Sequence, residues 1–322
     1  MNVIKVPASG RLLVAQLAAY GLAAAIERSG APVWVGHDPD SLELTALVMT
    51  ELEAAAVLDA VRASAAECED AVERDLSPGT SGNNRIPVIR ARATDAERAV
   101  LALQRREELL DELDGAGSSL AARLIAGLGA PAPWVVDPFS REKRLPAWGA
   151  TRLDGVPYNI GADIVRSALR PGLAAARDLD NLLTQAPGDD EPGHAEDRFR
   201  WSPPRSALPA AWQWLAGLGL TLLPVGLAGR GRSRTPAFWD RRARGEGTAR
   251  GVTLPVLADP VSLPRLRALL QTAELADDSP GPAARERLKR LGITALAIFV
   301  VRDGSTGTMV QFFFEPAERI DL

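Results

Sequence analysis

The feature that most constrains this chain is an uncharged stretch at residues 207–229, which an arginine-rich segment follows at once. A membrane-spanning helix needs about 20 consecutive apolar residues. Here Pro209 and Pro224 interrupt the stretch, so a helix over 210–217 would be only about 12 Å long. We therefore predict a short buried helix, then a buried strand at 218–225, and no membrane span.

The tryptophans near this stretch are predicted to belong to a hydrophobic core. Trp201, Trp212 and Trp214 flank or begin the most apolar run in the chain. Large aromatic side chains in such a setting are typical of core packing rather than of exposed platforms for stacking. With 322 residues, 46% of them hydrophobic, the chain is long enough to bury such a core.

Cysteine content and the first apolar segment bear on the cellular compartment. Cys68 is the only cysteine, so neither an internal disulfide nor a cysteine-built zinc site can form. Neighbouring carboxylates are expected to raise the pKa of its thiol and make it a poor nucleophile. The apolar run at 12–26 has the length and composition of the apolar region of a signal peptide, but a predicted strand precedes it. We predict a buried helix there and a cytoplasmic protein.

Alternating helix and strand patterns predict an α+β fold in two parts. Residues 1–186 form a mixed N-terminal region with an apolar first helix, long helices and a flexible loop at 75–85. An acidic linker at 187–197 follows. Residues 198–322 form a C-terminal α+β region that carries an arginine-rich loop at 230–250 and finishes in a β-hairpin.

Two helix ends are marked by glycine in the sequence. A helix that begins with a capping box at Thr94 and Glu97 is predicted to stop at Gly115. A second helix, with basic residues in its last turn, is predicted to end at Gly292.

The arginine segment, defined as residues 230–250, concentrates positive charge in a chain whose net charge is −4. It holds seven arginines against two acidic residues, with Phe238 and Trp239 between them. Such a segment can follow a phosphate backbone and stack bases. The alternative is a surface loop whose aromatic pair anchors it to the core. We predict stacking or wedging by Trp239 and phosphate neutralisation by Arg230, Arg232, Arg234, Arg241, Arg242 and Arg244.

A weaker basic site is predicted beside the flexible loop. Its candidate nucleic-acid contacts are Asn83, Asn84, Arg85 and Arg90.

Residues able to carry catalysis are sparse. His37, Asp38 and Asp40 could bind a metal, but three such side chains within four residues are also common at a strand-to-turn junction. The other histidine, His194, lies in the predicted linker. The chain has no P-loop, and glycines at 114–119 are only a weak anion-binding signal. We predict no catalytic residues, no metal and no cofactor, and keep a metal-dependent enzyme as the alternative.

Several segments in order resemble a known family. The chain reads RFRW, then WLAGLGLTLLPV, the arginine segment, and LPVLADPVSLPRLRALL. This order resembles the Cas-protein family found with type I-G (formerly I-U) CRISPR loci. Its members are compact, large-subunit-like components of the guide-RNA surveillance complex. The resemblance covers mainly residues 198–272, with a weaker similarity in LLVAQLAAYGLAAAIE near the start.

The resemblance implies a non-catalytic subunit of a Cascade-like complex. Such a subunit would contact CRISPR RNA, target double-stranded DNA and other Cascade subunits, and would help to dock the helicase-nuclease that cuts the target. In RNA-guided effectors, base pairing reads most of the sequence, while protein reads a short flanking motif and duplex shape. A third hypothesis is a protein-interaction module whose arginine segment binds an acidic partner.

Overall fold

A computed structural model describes a large part of the chain. The described residues are 1–38, 41–71, 107–127, 132–136, 146–147, 174–176, 183, 209–223, 226–228, 232–234, 237–241, 247, 249–303 and 312–322. Helices and antiparallel sheets make up this part, so the predicted α+β class is confirmed.

The helices have the following bounds. They are α1 (Leu13–Arg28), α2 (Ala54–Asp70), α3 (107–115 within the described part), α4 (Ser119–Gly127), α5 (Ala210–Leu220), α6 (Leu263–Leu269) and α7 (Pro282–Arg290), with a 3₁₀ turn at Ala273–Ala276.

The strands are short except for two in the C-terminal region. They are β1 (Asn2–Lys5), β2 (Val33–His37), β3 (Ala46–Thr50), β4 (Ala132–Val136), β5 (Pro146–Ala147), β6 (Gly226–Ala228), β7 (Arg232–Arg234), β8 (Phe238–Asp240), β9 (Arg250–Leu257), β10 (Val261–Ser262), β11 (Ile293–Asp303), β12 (Phe312–Phe314) and β13 (Glu318–Asp321).

Two antiparallel sheets organise the fold. The first has the strand order β1-β3-β2-β10, and the second has β12-β11-β9-β8, with β13 also paired to β11. β11 and β12 pair with Val301 opposite Phe314, which confirms the predicted terminal hairpin. β10 comes from the C-terminal region but joins the N-terminal sheet, with Val261 opposite Val35.

Helix α1 lies at the centre of the molecule. Its side chains are buried almost continuously from Leu13 to Ile26, as expected for a helix that is apolar all round. It crosses α5 where Gly21 and Gly219 bring the two backbones together. A Cβ on Gly21 would overlap the backbone carbonyl of Leu215. A larger residue at position 21 would therefore require the backbone of one of the two helices to move.

This crossing explains where the prediction for the uncharged stretch was wrong. Instead of ending near 217 and giving way to a strand, α5 continues to Leu220 and a turn covers 221–223. Close packing on α1 outweighs the low helix propensity of Gly217 and Gly219. Trp212 and Trp214 are 0% exposed, which confirms their predicted place in the core. No helix in the described ranges is long and apolar enough to cross a membrane.

The described residues on either side of the predicted linker share one hydrophobic core. Arg267 of α6 also binds Glu27 of α1, with 2.7 Å between Nη2 and Oε2. The boundaries at 187–197 stay a prediction, because those residues lie outside the described part.

Candidate functional site

The first half of the arginine segment contains β7, which forms a β-hairpin with β6 just before the segment. β6 and β7 pair so that Ala228 lies opposite Arg232 and Gly226 lies opposite Arg234. Arg230 lies in the connection between the two strands, outside the described residues.

The second half is a hairpin built from β8 and β9. Asp240 lies opposite Arg250, and the backbone N–H of Arg241 donates to the carbonyl of Ala249 over 2.9 Å. Gly247, at φ 130°, adopts a backbone conformation that other residues rarely take. The predicted contacts Arg242 and Arg244 lie between these points, outside the described residues.

Trp239 anchors the β8–β9 hairpin to the core. It is 2% exposed, and its ring lies against Gly251 on the neighbouring strand. A base could stack on this ring only if Trp239 moved out of the core. Of the two interpretations from the sequence, the geometry of Trp239 therefore favours the anchor over the stacking residue.

Arg241 also has an anchoring partner. Its guanidinium binds Asp278 Oδ2 at 2.7 Å from Nε and 2.6 Å from Nη2. The side chain of Asp278 is only 6% exposed, whereas that of Arg241 is 41% exposed. Because a buried carboxylate needs its counter-charge, the pair holds the start of the loop against residues 273–280.

Residues 273–280 connect the arginine segment to α7. In the same short segment as Asp278, Glu274 binds Arg287 of α7, with 2.6 Å between Oε1 and Nε. The hydrogen bond from Arg287 keeps the pKa of Glu274 below its usual value, and a backbone hydrogen bond lowers it further. Two carboxylates of one segment thus each bind an arginine of a different basic element.

His37 is a structural residue rather than an available ligand. It is 7% exposed, its Nδ1 accepts from the N–H of Leu257 at 3.2 Å, and its Nε2 lies 3.1 Å from Gln16 Oε1. Because Nδ1 is an acceptor, the proton is assigned to Nε2, which donates to Gln16. Burial, and then the charge of Arg319, lower the pKa of His37 to about 4.

Gln16 is the hydrogen-bond partner of His37 that the sequence did not reveal. Its Nε2 donates to the carbonyls of Gly10 and Leu44 at 2.7 and 2.9 Å, while its Oε1 accepts from His37 Nε2. The signal in the sequence is a polar residue inside an apolar helix.

The predicted metal cluster is not assembled by the described residues. Asp38 binds Lys5 at 3.0 Å, and Asp40 lies outside the described residues. Within the described ranges, no group of three His, Cys, Asp or Glu side chains is placed to hold a metal ion.

Cys68 and the glycine-rich turn at 114–119 also have structural roles. Burial, and then the charge of Glu67, raise the pKa of the Cys68 thiol. The carboxylate of Glu67 accepts from the N–H of Leu120 at 2.7 Å and binds Arg28 at 2.8 Å. The chain's own carboxylate therefore occupies the position where an anion would meet the start of α4.

Asn83, Asn84, Arg85 and Arg90 lie outside the described residues, and so do Trp201 and His194. Their assignments stay predictions. No protein-family model matches this chain, and no curated protein matches it either.

Proposed function

We propose that this chain is a non-catalytic subunit of a type I CRISPR RNA-guided surveillance complex and that it contacts nucleic acid through its arginine segment. The observation that carries the proposal is this segment, which has an excess of five positive charges in an acidic protein. It contributes strands to two hairpins, and one of these hairpins is anchored to the core. The order of segments that resembles type I-G Cas proteins supports the choice of complex.

The anchoring of the β8–β9 hairpin matters for affinity. Trp239 and the Arg241–Asp278 pair fix its base, so fewer degrees of freedom are lost when the remaining arginines meet phosphates. Each guanidinium offers a planar fork of donors that matches phosphate oxygens. Neutralising phosphates releases counterions, which drives binding without reading sequence.

The proposal divides the predicted contacts into two roles. Trp239 and Arg241 position the loop. Phosphate neutralisation falls to Arg230, Arg232, Arg234, Arg242 and Arg244. The weaker site at residues 83–90 stays a candidate for the same role. CRISPR RNA and target duplex DNA are the proposed nucleic acids, while the neighbouring subunits and the helicase-nuclease follow from the resemblance.

The metal-enzyme hypothesis has less support. Both ring nitrogens of His37 are engaged in hydrogen bonds and the ring is buried, so it would have to leave the interior to bind a metal. Asp38 is already bound to Lys5.

The salt dependence of binding tests the role of the arginine segment. The slope of log Kobs against log salt is negative, and each phosphate contact contributes about 0.9 to its magnitude. We expect Arg232→Gln with Arg234→Gln to reduce this magnitude by about 1.8 for duplex DNA. The matched control is Lys5→Gln with Arg62→Gln, which removes the same charge from exposed ion pairs elsewhere. An unchanged slope in the first variant contradicts the proposal.

A further inference from the structure

A second basic surface lies on α6 and α7, outside the arginine segment. Most of its side chains are exposed, and Glu274 and Glu286 each pair with one of its arginines. It will be called the α6–α7 surface, and its members are Arg265, Arg285, Arg287, Lys289 and Arg290.

Packing fixes the orientation of this surface. Leu288 is fully buried and sets the inner side of α7, whereas Lys289 and Arg290 are exposed. Arg265 of α6 reaches the end of α7, where its Nη2 donates to the carbonyl of Leu291 at 3.2 Å. Arg265 therefore lies beside the C-terminal turn of α7, which carries Arg287, Lys289 and Arg290.

The α6–α7 surface adjoins the arginine segment through a short connection. Glu274 binds Arg287 of the surface, and Asp278 binds Arg241 of the segment. The Cα atoms of these two carboxylate residues, four positions apart, are separated by at most about 14 Å. A duplex carries one charge about every 1.7 Å of its axis with both strands counted, so this span carries at most about eight phosphates, and those on its far side do not face the protein.

Resting on the proposed function, we propose that the α6–α7 surface is a second contact for the phosphate backbone of duplex nucleic acid. Proteins that bind single strands commonly stack bases on aromatic side chains. The sequence has no Phe, Tyr or Trp between Trp239 and Phe299, so α6, α7 and their connection carry no aromatic side chain for stacking. Its chemistry fits sequence-independent contact with a duplex that passes from the arginine segment onto α7.

A purely local role for these charges makes a different prediction. Basic residues in the last turn of a helix interact favourably with the helix dipole, and this would account for Lys289 and Arg290 without a ligand. Their removal would then lower the thermal midpoint and leave nucleic-acid binding unchanged.

The test compares two variants of the full chain that each lose one lysine and one arginine. They are Lys289→Gln with Arg290→Gln and the control Lys5→Gln with Arg62→Gln. With a labelled DNA duplex, we expect the first variant to lower the salt slope by about 1.8 and the control to keep the wild-type slope. Single-stranded DNA should show a smaller change. If the double variant does not fold, Lys289→Gln alone should lower the duplex slope by about 0.9.

Other outcomes overturn the inference in distinguishable ways. If Arg232→Gln with Arg234→Gln lowers the slope but the α7 variant does not, the proposed function stands and the second contact is wrong. An acidic protein as the occupant of this surface would give that result. If the α7 variant lowers the salt slope more for single-stranded DNA than for duplex DNA, duplex nucleic acid is rejected as the ligand of this surface. If the wild-type chain binds no nucleic acid at low salt, both proposals fail.

Discussion

At the scale of the residue, His37 couples the N-terminal sheet to the C-terminal strand β9. Its ring ties β2 to the end of β9 through Leu257 and to α1 through Gln16. Both bonds use the neutral ring, because Nδ1 must stay unprotonated to accept from Leu257. A charged imidazole would lose this bond while buried beside the charge of Arg319.

Stability should therefore fall in mild acid. The pKa of His37 is about 4 in the folded chain and about 6.5 when unfolded, so the unfolded state takes up the proton first. Its contribution is complete above pH 6.5 and is lost as the pH falls to 4, amounting to about 3 kcal/mol. Urea unfolding across this range measures it. His37→Gln should remove the difference and His194→Gln should keep it, whereas equal acid sensitivity in all three proteins would reject this role.

Arg241 has a buried partner in Asp278. Its replacement by alanine leaves the Asp278 carboxylate buried without that counter-charge. Because the guanidinium is 41% exposed, solvent moderates the cost, which we place at about 2 kcal/mol. Arg290→Ala, which breaks a pair exposed on both sides, should cost under about 0.5 kcal/mol. Equal free energies of unfolding for the two variants would contradict an anchoring role for Arg241.

At the scale of the element, the backbones of α1 and α5 approach each other closely where the two helices cross. A methyl group at Gly21 or Gly219 meets a backbone carbonyl, which cannot turn aside as a flexible side chain would. We expect Gly21→Ala and Gly219→Ala each to lower the free energy of unfolding by about 2 kcal/mol or more.

Gly115→Ala is the matched control for these helix substitutions. Nothing lies within 4 Å of a Cβ at this helical position, so the change should be neutral or stabilise the protein by up to about 1 kcal/mol. Denaturant titration of the three variants measures the difference. A Gly21→Ala protein as stable as the wild type would show that the helices are further apart than described.

Elements were predictable where the signal is local. Apolar continuity identified α1, and glycine with positive φ ends α7 at Gly292 as expected. α3 ends at Gly115 as predicted, although the glycine with positive φ in the following turn is Gly117, at φ 70°. The length of α5 could not be read locally, since Gly219 packs against Leu17 and Gly21 about two hundred positions earlier.

At the scale of the whole molecule, contacts distant in sequence determine which charges remain available. The arginine segment was evident from composition alone, but the sequence could not show that Asp278 holds Arg241 or that Trp239 is in the core. Those facts depend on residues brought together by folding. The α6–α7 surface was also hidden, because Arg265 reaches Leu291 at the end of α7 only in the folded chain.

The central claim is that the chain works within a ribonucleoprotein complex, and purification of the tagged protein from its native host tests it most directly. Protein and nucleic acid that accompany the chain would be identified and quantified. The account predicts an RNA of uniform length together with several protein partners, some in repeated stoichiometry. A chain recovered alone and free of RNA would contradict it.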